Sequence, residues 1–305
     1  MFGLDVDTDT ILPLLEMTRT APTGRELKIR GVSADALAQP GAGQLVCDER
    51  EPDGTVHFRI EADPTWGYLI WGPTYGHNVL SPDGRSVRYS AAGCAEEARQ
   101  RFLIAQVLPF AALLQGLEVL HASAVVVQAG AIALVGPSGA GKTSVAMELC
   151  RRGAGFLADD VLALERVDDL LLGHPGTPLA GLDHAEAQRL KRAGHRPSGE
   201  VVATNSREQL VRMRGGEAPA ALAALFFLDR RLEAPPQPSF ERVNDPRLLL
   251  AATFNSVLTG PERLSGLLEV CASLARRRVE RIIAGPHIDA AELAVAIERR
   301  LEDSP

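Results

Sequence analysis

A short apolar run that leads through a glycine-rich loop into a helix-forming run constrains this chain more than any other feature. Residues 131–135 read Ala-Ile-Ala-Leu-Val, residues 136–143 read Gly-Pro-Ser-Gly-Ala-Gly-Lys-Thr, and residues 144–150 favour a helix. Strand, G-x-x-x-x-G-K-T and helix, in that order, are typical of a phosphate-binding loop. The glycines let backbone N–H groups surround an anion, and the helix adds its positive N-terminal end. The sequence therefore predicts a nucleoside triphosphate site, without showing where the γ-phosphate goes.

The loop also predicts which atoms hold the nucleotide and its metal. Lys142 stands where an ammonium group reaches the β- and γ-phosphates, and the Thr143 hydroxyl stands where it can ligate Mg²⁺. The expected cofactors are therefore ATP and Mg²⁺. The predicted nucleotide contacts are Gly136, Pro137, Ser138, Gly139, Ala140, Gly141, Lys142, Thr143 and Ser144.

The composition argues against several other classes of function. The chain has 305 residues, enough for about two domains, and its 46% apolar and 23% charged residues suit a soluble globular protein. A net charge of −7 gives no electrostatic reason to expect a nucleic-acid or membrane partner. The four cysteines are far apart in sequence and form no C-x-x-C motif, so we expect reduced intracellular thiols rather than disulfides or a zinc site. Because we find neither a signal sequence nor an apolar run of membrane length, we expect a cytoplasmic protein.

The chain changes character near residue 115, where we place a domain boundary. Residues 1–115 contain short alternating or β-branched runs between turn formers, and they end in a helical pattern over 95–108 that Pro109 should break or kink. We expect Trp66 and Trp71 to pack the core of this β-rich domain rather than to line a binding surface.

Residues 116–305 are predicted to form an α/β nucleotide-binding domain. Asp289 and Glu292 form a capping box that opens the last helix, with Leu293 and Ile297 on one helical face. Strands are predicted over 119–127, 131–135, 223–228 and 279–283, and a strand region that two adjacent aspartates interrupt is predicted over 156–164.

Two adjacent carboxylates follow the loop at a spacing that can place them beside the triphosphate. Asp159 and Asp160 come 17 and 18 residues after Lys142, within an apolar strand region. Ligands bind at the carboxyl ends of strands in open α/β sheets, so these groups can hold Mg²⁺ or accept a proton from an attacking hydroxyl. Successive strand side chains point to opposite faces, so the pair can divide the two tasks. His121 lies on the strand before the one that leads into the loop, and by itself it would be interpreted as a core histidine.

Three segments together resemble the catalytic domain of HPr kinase/phosphorylase. They are His121-Ala-Ser-Ala, the loop at 136–143 and Leu157-Ala-Asp-Asp160, in the order and at the spacing of that family. The resemblance covers about residues 115–300 and is strongest up to 165. It implies a phosphoenolpyruvate-carboxykinase-like α/β core of the P-loop kinase type, which a β-rich domain precedes in this chain.

The resemblance implies a role for each residue. In that family the aspartate that matches Asp159 is the base toward a protein serine, the histidine that matches His121 supports it, and the lysine that matches Lys142 holds phosphate. Asp160 is then expected on the metal side, together with Thr143. The layout also looks like that of HPr-kinase-related proteins found beside peptide natural-product genes, some of which phosphorylate a serine of a precursor peptide.

The expected activity is therefore that of an ATP-dependent kinase acting on a serine of a protein or peptide, in a chain that can form a homo-oligomer. Two alternatives stay open. One is a small-molecule kinase, for example on free serine, and the other is a nucleotide-binding regulatory module that hydrolyses ATP slowly or not at all. The destination of the γ-phosphate separates the three.

Overall fold

The chain folds as a mixed α/β protein, which agrees with the predicted α/β class. The structure is a computed structural model that describes residues 1–9, 13–14, 22–91, 93–192, 199–205, 208–216, 218–254, 257–258 and 260–303. Within these ranges the strands form three sheets.

The chain divides into two compact units and crosses between them more than once. Met1–Val119 and Phe254–Gly266 form the first unit, and Leu120–Thr253 and Leu267–Pro305 form the second. The first crossing lies close to the boundary expected near residue 115, whereas the later return of 254–266 gave no signal in the sequence. That residues 1–115 and 116–305 are separate domains stays a prediction.

Up to residue 114, the described part of the first unit contains seven strands and two α-helices. The strands are β1 (Asp5–Thr8), β2 (Glu26–Gly31), β3 (Gln44–Arg50), β4 (Val56–Asp63), β5 (Gly67–Gly72), β6 (Gly76–Leu80) and β7 (Ser86–Ser90). They lie in the order β1-β2-β7-β6-β5-β4-β3. Strands β3 to β7 pair antiparallel as successive hairpins, while β2 adds parallel to β7 and β1 parallel to β2.

The tryptophans pack as predicted, and the proline lies beside an irregular helical turn. Trp66 and Trp71 pack against a buried cluster in this sheet. Helix α1 (Glu96–Phe102) continues through a π-helical turn into α2 (Leu108–Leu114). Pro109 follows just after the π-helical turn, where its missing N–H cannot continue the helical hydrogen bonds.

The remaining elements belong to the second unit, apart from residues 118–119 and 261–266, which begin two of them and lie in the first unit. The strands are β8 (Glu118–Leu120), β9 (Ala122–Val127), β10 (Gly130–Val135), β11 (Gly155–Ala158), β12 (Leu162–Val167), β13 (Leu170–His174), β14 (Leu179–Asp183), β15 (Glu200–Thr204), β16 (Glu208–Arg212), β17 (Ala220–Arg230), β18 (Ser239–Arg242) and β19 (Arg278–Ala284). The helices are α3 (Lys142–Arg151), α4 (His184–Arg192), α5 (Pro246–Ala251), α6 (Pro261–Ala275) and α7 (Ala290–Glu302).

Two predicted strands are each divided at a residue of the candidate site. The strand expected over 119–127 is two strands, β8 and β9, with His121 in the break. The strand region over 156–164, which the two aspartates were expected to interrupt, is also two strands, β11 and β12, and Asp160 adopts a left-handed backbone with φ 62°. A strand needs extended φ and ψ at every residue, so one left-handed residue ends it.

The larger sheet of the second unit is buried on both faces. Its central order is β11-β9-β10-β17-β13-β12, and β17 also pairs with β19. Alternate residues of β10 enter different cores: Ala133 and Val135 pack on one face, and Ile132 and Leu134 on the other. Helices α3 and α7 cover the second face. This double burial explains why β10 and β17 are continuously apolar and why polar groups occur at the ends of these strands.

A smaller sheet of β14, β16 and β15 lies in the same unit. Helix α7 begins at the predicted capping box, in which Asp289 and Glu292 each bond the other's backbone N–H. Within the described ranges, no helix combines the length and the apolar character that a membrane crossing requires.

In the first unit, a buried ion pair joins Glu118 to Arg263, whose two terminal nitrogens face the carboxylate. Glu118 is 4% exposed. Arg263→Ala should lower the free energy of unfolding by about 3–5 kcal/mol, because it leaves a buried charge without its partner. Arg247→Ala is the control, since Arg247 is 87% exposed and pairs with Asp245 at the surface. Urea denaturation of both variants measures the two losses of unfolding free energy. Equal losses would show that burial does not make the Glu118–Arg263 pair more important for stability than a surface pair.

Candidate functional site

The predicted loop connects β10 to the first residue of α3. Gly139 and Gly141 have φ of 79° and 94°, a region that side chains rarely allow. Gly141 is the N-cap of α3, so the helix N-terminus opens directly into the loop. A Cβ atom on Gly136 would stand 2.9 Å from the carbonyl oxygen of Leu228, so β17 also keeps this position free of a side chain. The backbone N–H groups and the helix dipole together favour an anion here.

Lys142 lies over this loop and is only 7% exposed. Its ammonium donates to the carbonyl oxygens of Gly136 at 2.9 Å and Pro137 at 3.3 Å. Burial lowers the pKa of Lys142, and the negative charges of Asp160 and Asp159 oppose that effect. The ammonium is thus held by neutral groups of the loop, which leaves its charge available to a phosphate.

Asp159 is the point at which three separate elements meet. Its Oδ1 accepts hydrogen bonds from the hydroxyls of Ser123 at 2.5 Å and Thr143 at 2.9 Å, and its Oδ2 accepts one from the Gly181 N–H at 2.9 Å. Burial, and then the charge of Asp160, raise the pKa of Asp159 to about 6, although the three donors act in the opposite direction. The carboxylate is therefore costly to ionise until further positive charge arrives.

Asp160 and His121 form a second group beside the lysine. The His121 imidazole hydrogen-bonds to the backbone of Asp160. Partial loss of water lowers the pKa of His121, the charge of Lys142 lowers it further, and the charge of Asp160 opposes both. The residue as a whole remains exposed to solvent. The ring is therefore neutral at pH 7 and can accept or relay a proton.

The structure brings all five chemical side chains predicted from the sequence into one region: His121, Lys142, Thr143, Asp159 and Asp160. Sequence reasoning missed Ser123 and the Gly181 N–H as partners of Asp159. Ser123 lies two residues after His121, inside the segment that carried the resemblance, and that spacing was a signal. Gly181 contributes a backbone N–H from a distant strand, for which the sequence holds no local signal.

These residues fit a nucleotide and its metal. The Thr143 hydroxyl donates its hydrogen bond to Asp159, so the lone pairs of its oxygen can ligate a cation. A hydroxyl and carboxylates are oxygen ligands of the kind that Mg²⁺ prefers, together with phosphate oxygens.

Comparison with known proteins does not assign the chain to a family. No protein-family model and no curated protein matches it. Among solved structures, a match is the "Hpr(Ser) kinase/phosphatase from Coxiella burnetii", at 14% sequence identity and a TM-score of 0.34, covering 61% of this chain and 99% of that one. A likeness this distant does not establish the family or the activity of the chain.

The raised pKa of Asp159 predicts a specific pH dependence of stability. A carboxyl whose pKa is higher in the folded state favours the protonated fold, so its contribution is complete below the unfolded pKa of 3.8 and is lost as the pH rises to about 6. Relative to Asp159→Asn, ligand-free wild type should therefore lose on the order of 2 kcal/mol of unfolding free energy between about pH 4 and pH 7. Denaturant unfolding across this range measures the difference.

Asp53→Asn supplies the control of opposite sign. Hydrogen bonds from Thr55 lower the pKa of Asp53, so wild type should lose its advantage over that variant as the pH falls. If the difference in unfolding free energy between wild type and Asp159→Asn does not change with pH, the pKa of Asp159 is not raised in the folded protein.

Proposed function

We propose that the protein is an ATP- and Mg²⁺-dependent kinase that transfers the γ-phosphate to a serine hydroxyl of a protein or peptide. The observation that carries the proposal is the pairing of two groups at one loop. Thr143 and Asp159 form the first, which suits metal-bound nucleotide, and Asp160 with His121 forms the second. Nucleotide binding alone would need only the first group, whereas transfer to a hydroxyl also needs a proton acceptor.

The loop and its lysine act on the phosphates. Backbone N–H groups of residues 136–144 are available to a bound triphosphate, and Lys142 exchanges its carbonyl partners for β- and γ-phosphate oxygens. Positive charge there stabilises the charge that moves onto the leaving phosphate during transfer. When bound, Mg²⁺ neutralises part of the phosphate charge, and Thr143 with an aspartate would hold it.

The hydrogen bonds of Asp159 favour one division of roles between the two aspartates. The resemblance predicts Asp159 as the base and Asp160 on the metal side, and that assignment stays a prediction. We propose the reverse, because Asp159 already accepts three hydrogen bonds, one of them from the predicted metal ligand Thr143. Asp160 lies next to neutral His121 and to Lys142, and it takes the other task, as the base toward the acceptor hydroxyl.

Serine as the acceptor rests on the sequence resemblance. The test is the fate of labelled γ-phosphate after incubation of the protein and Mg²⁺ with serine-bearing peptides, free serine, or no acceptor. Label on a peptide serine supports the proposal, and Lys142→Ala should abolish it. Label on free serine alone would make the protein a small-molecule kinase. Label found solely as inorganic phosphate, or left on ATP, would favour a regulatory module.

Single-turnover kinetics separate the two aspartates. Asp160→Asn should leave Mg·ATP affinity nearly unchanged and slow transfer by about 10²- to 10⁴-fold, because it removes the proton acceptor but keeps the shape. Asp159→Asn should mainly raise the Mg²⁺ concentration required for binding.

Asp168→Asn is a matched control, since Asp168 is exposed and also has a left-handed backbone, with φ 52°. It should behave as wild type. If Asp159→Asn instead loses transfer at normal metal and ATP affinity, the roles predicted from the resemblance are the right ones. If neither aspartate matters, the chain does not use this mechanism.

A further inference from the structure

Arg230 is a charged residue beside the loop that no motif singled out. It ends β17, which runs parallel to β10 with Phe227 opposite Val135. The two strands therefore finish together, and the residues after Phe227 lie alongside the loop that follows Val135. A Cβ atom placed on Gly136 would lie close to the carbonyl oxygen of Leu228, which shows how near the end of β17 comes to the loop.

Backbone carbonyl groups hold the Arg230 guanidinium on two sides. Nε donates to Ala140 of the loop at 3.2 Å, and Nη1 donates to Ile288 at 2.8 Å and Gly285 at 3.2 Å. A guanidinium is planar and rigid, so fixing two of its nitrogens also fixes the third. The side chain is thus ordered before any ligand binds, and its ordering adds little to the cost of binding.

The third nitrogen, Nη2, faces the loop. It lies 3.5 Å from the position that a Cβ atom on Gly141 would occupy. Within the described part of the chain, we find no hydrogen-bond acceptor and no carboxylate paired with Nη2. Its neighbour Arg231 contrasts with it, because Arg231 is exposed and pairs with Asp229 at 2.7 Å.

The charges around Arg230 leave its own charge largely uncompensated. Burial lowers its pKa, the positive charge of Arg189 lowers it further, and the negative charges of Asp289 and Glu186 oppose both. Arg189 itself pairs with Glu186. A guanidinium remains protonated in proteins, so Arg230 stays a half-buried cation bonded to neutral groups, as Lys142 is.

We propose that Arg230 is a second phosphate-binding cation of this site, with Nη2 contacting a phosphate group of the nucleotide held by residues 136–143. The inference rests on the proposed nucleotide function and adds a residue to it. Lys142 supplies a point charge from one side of the loop, and Arg230 supplies a fixed N–H donor at Gly141. Such charge-assisted bonds are shorter and stronger than those between neutral groups.

Calorimetric binding of a non-hydrolysable ATP analogue with Mg²⁺ tests this on the full chain. Arg230→Gln should weaken binding by about 10- to 100-fold, the usual effect of losing a hydrogen bond to a charged group. Arg230→Lys should recover part of the affinity because it keeps the charge. Arg231→Gln, the control from the same strand end, should bind as wild type does. The loss in Arg230→Gln should shrink as salt is raised.

The same measurements separate the proposal from its rivals. If Arg230 only stabilised the loop, the Arg230→Gln and Arg230→Lys variants would lose nucleotide affinity equally, in proportion to a lower melting temperature of the ligand-free protein. That result would show that the proposal is wrong. Unchanged binding in Arg230→Gln would overturn it while leaving the kinase proposal intact. If wild type itself bound no nucleotide, both proposals would fail.

Discussion

The candidate site depends on one partly buried carboxylate. Asp159 follows β11 and accepts hydrogen bonds from Ser123 on β9, Thr143 on α3 and Gly181 on β14. Each bond comes from a different element, so a single side chain sets the position of the loop helix relative to a sheet strand and to the smaller sheet. Burial makes ionisation of this group unfavourable, which raises its pKa to about 6. Bringing a cation to Thr143 would relieve that cost, so the arrangement links metal binding to local order.

The burial of the main sheet explains why the chemistry lies where it does. Strands β10 and β17 pack apolar side chains on both faces, so a polar side chain within them would need a buried partner. At their carboxyl ends the chain leaves the core, and there it places the loop, Lys142 and Arg230. The two divided strands follow the same rule, since His121 and Asp160 lie where β8 and β11 have ended.

Patterns confined to neighbouring residues predicted well. The loop between β10 and α3, the capping box of α7 and the packing of the tryptophans all follow from local spacing and side-chain type. The features that the sequence did not predict depend on contacts between distant segments of the chain. The return of Phe254–Gly266 to the first unit, the Gly181 N–H on Asp159 and the carbonyl contacts of Arg230 join residues far apart in sequence. The break at His121 also escaped the pattern, because apolar residues flank it on both sides, whereas the break at the two aspartates was expected from their charge.

The central claim is that Thr143 and Asp159 act on the metal as one unit. A double-mutant cycle with Thr143→Ala and Asp159→Asn measures this directly through nucleotide affinity, with Mg²⁺ and again with chelator. The account predicts a coupling free energy above about 1 kcal/mol with Mg²⁺ that falls when the metal is chelated. The same coupling with Mg²⁺ and with chelator, or additive effects within about 0.3 kcal/mol under both conditions, would contradict it, because neither result requires a metal that the two residues share.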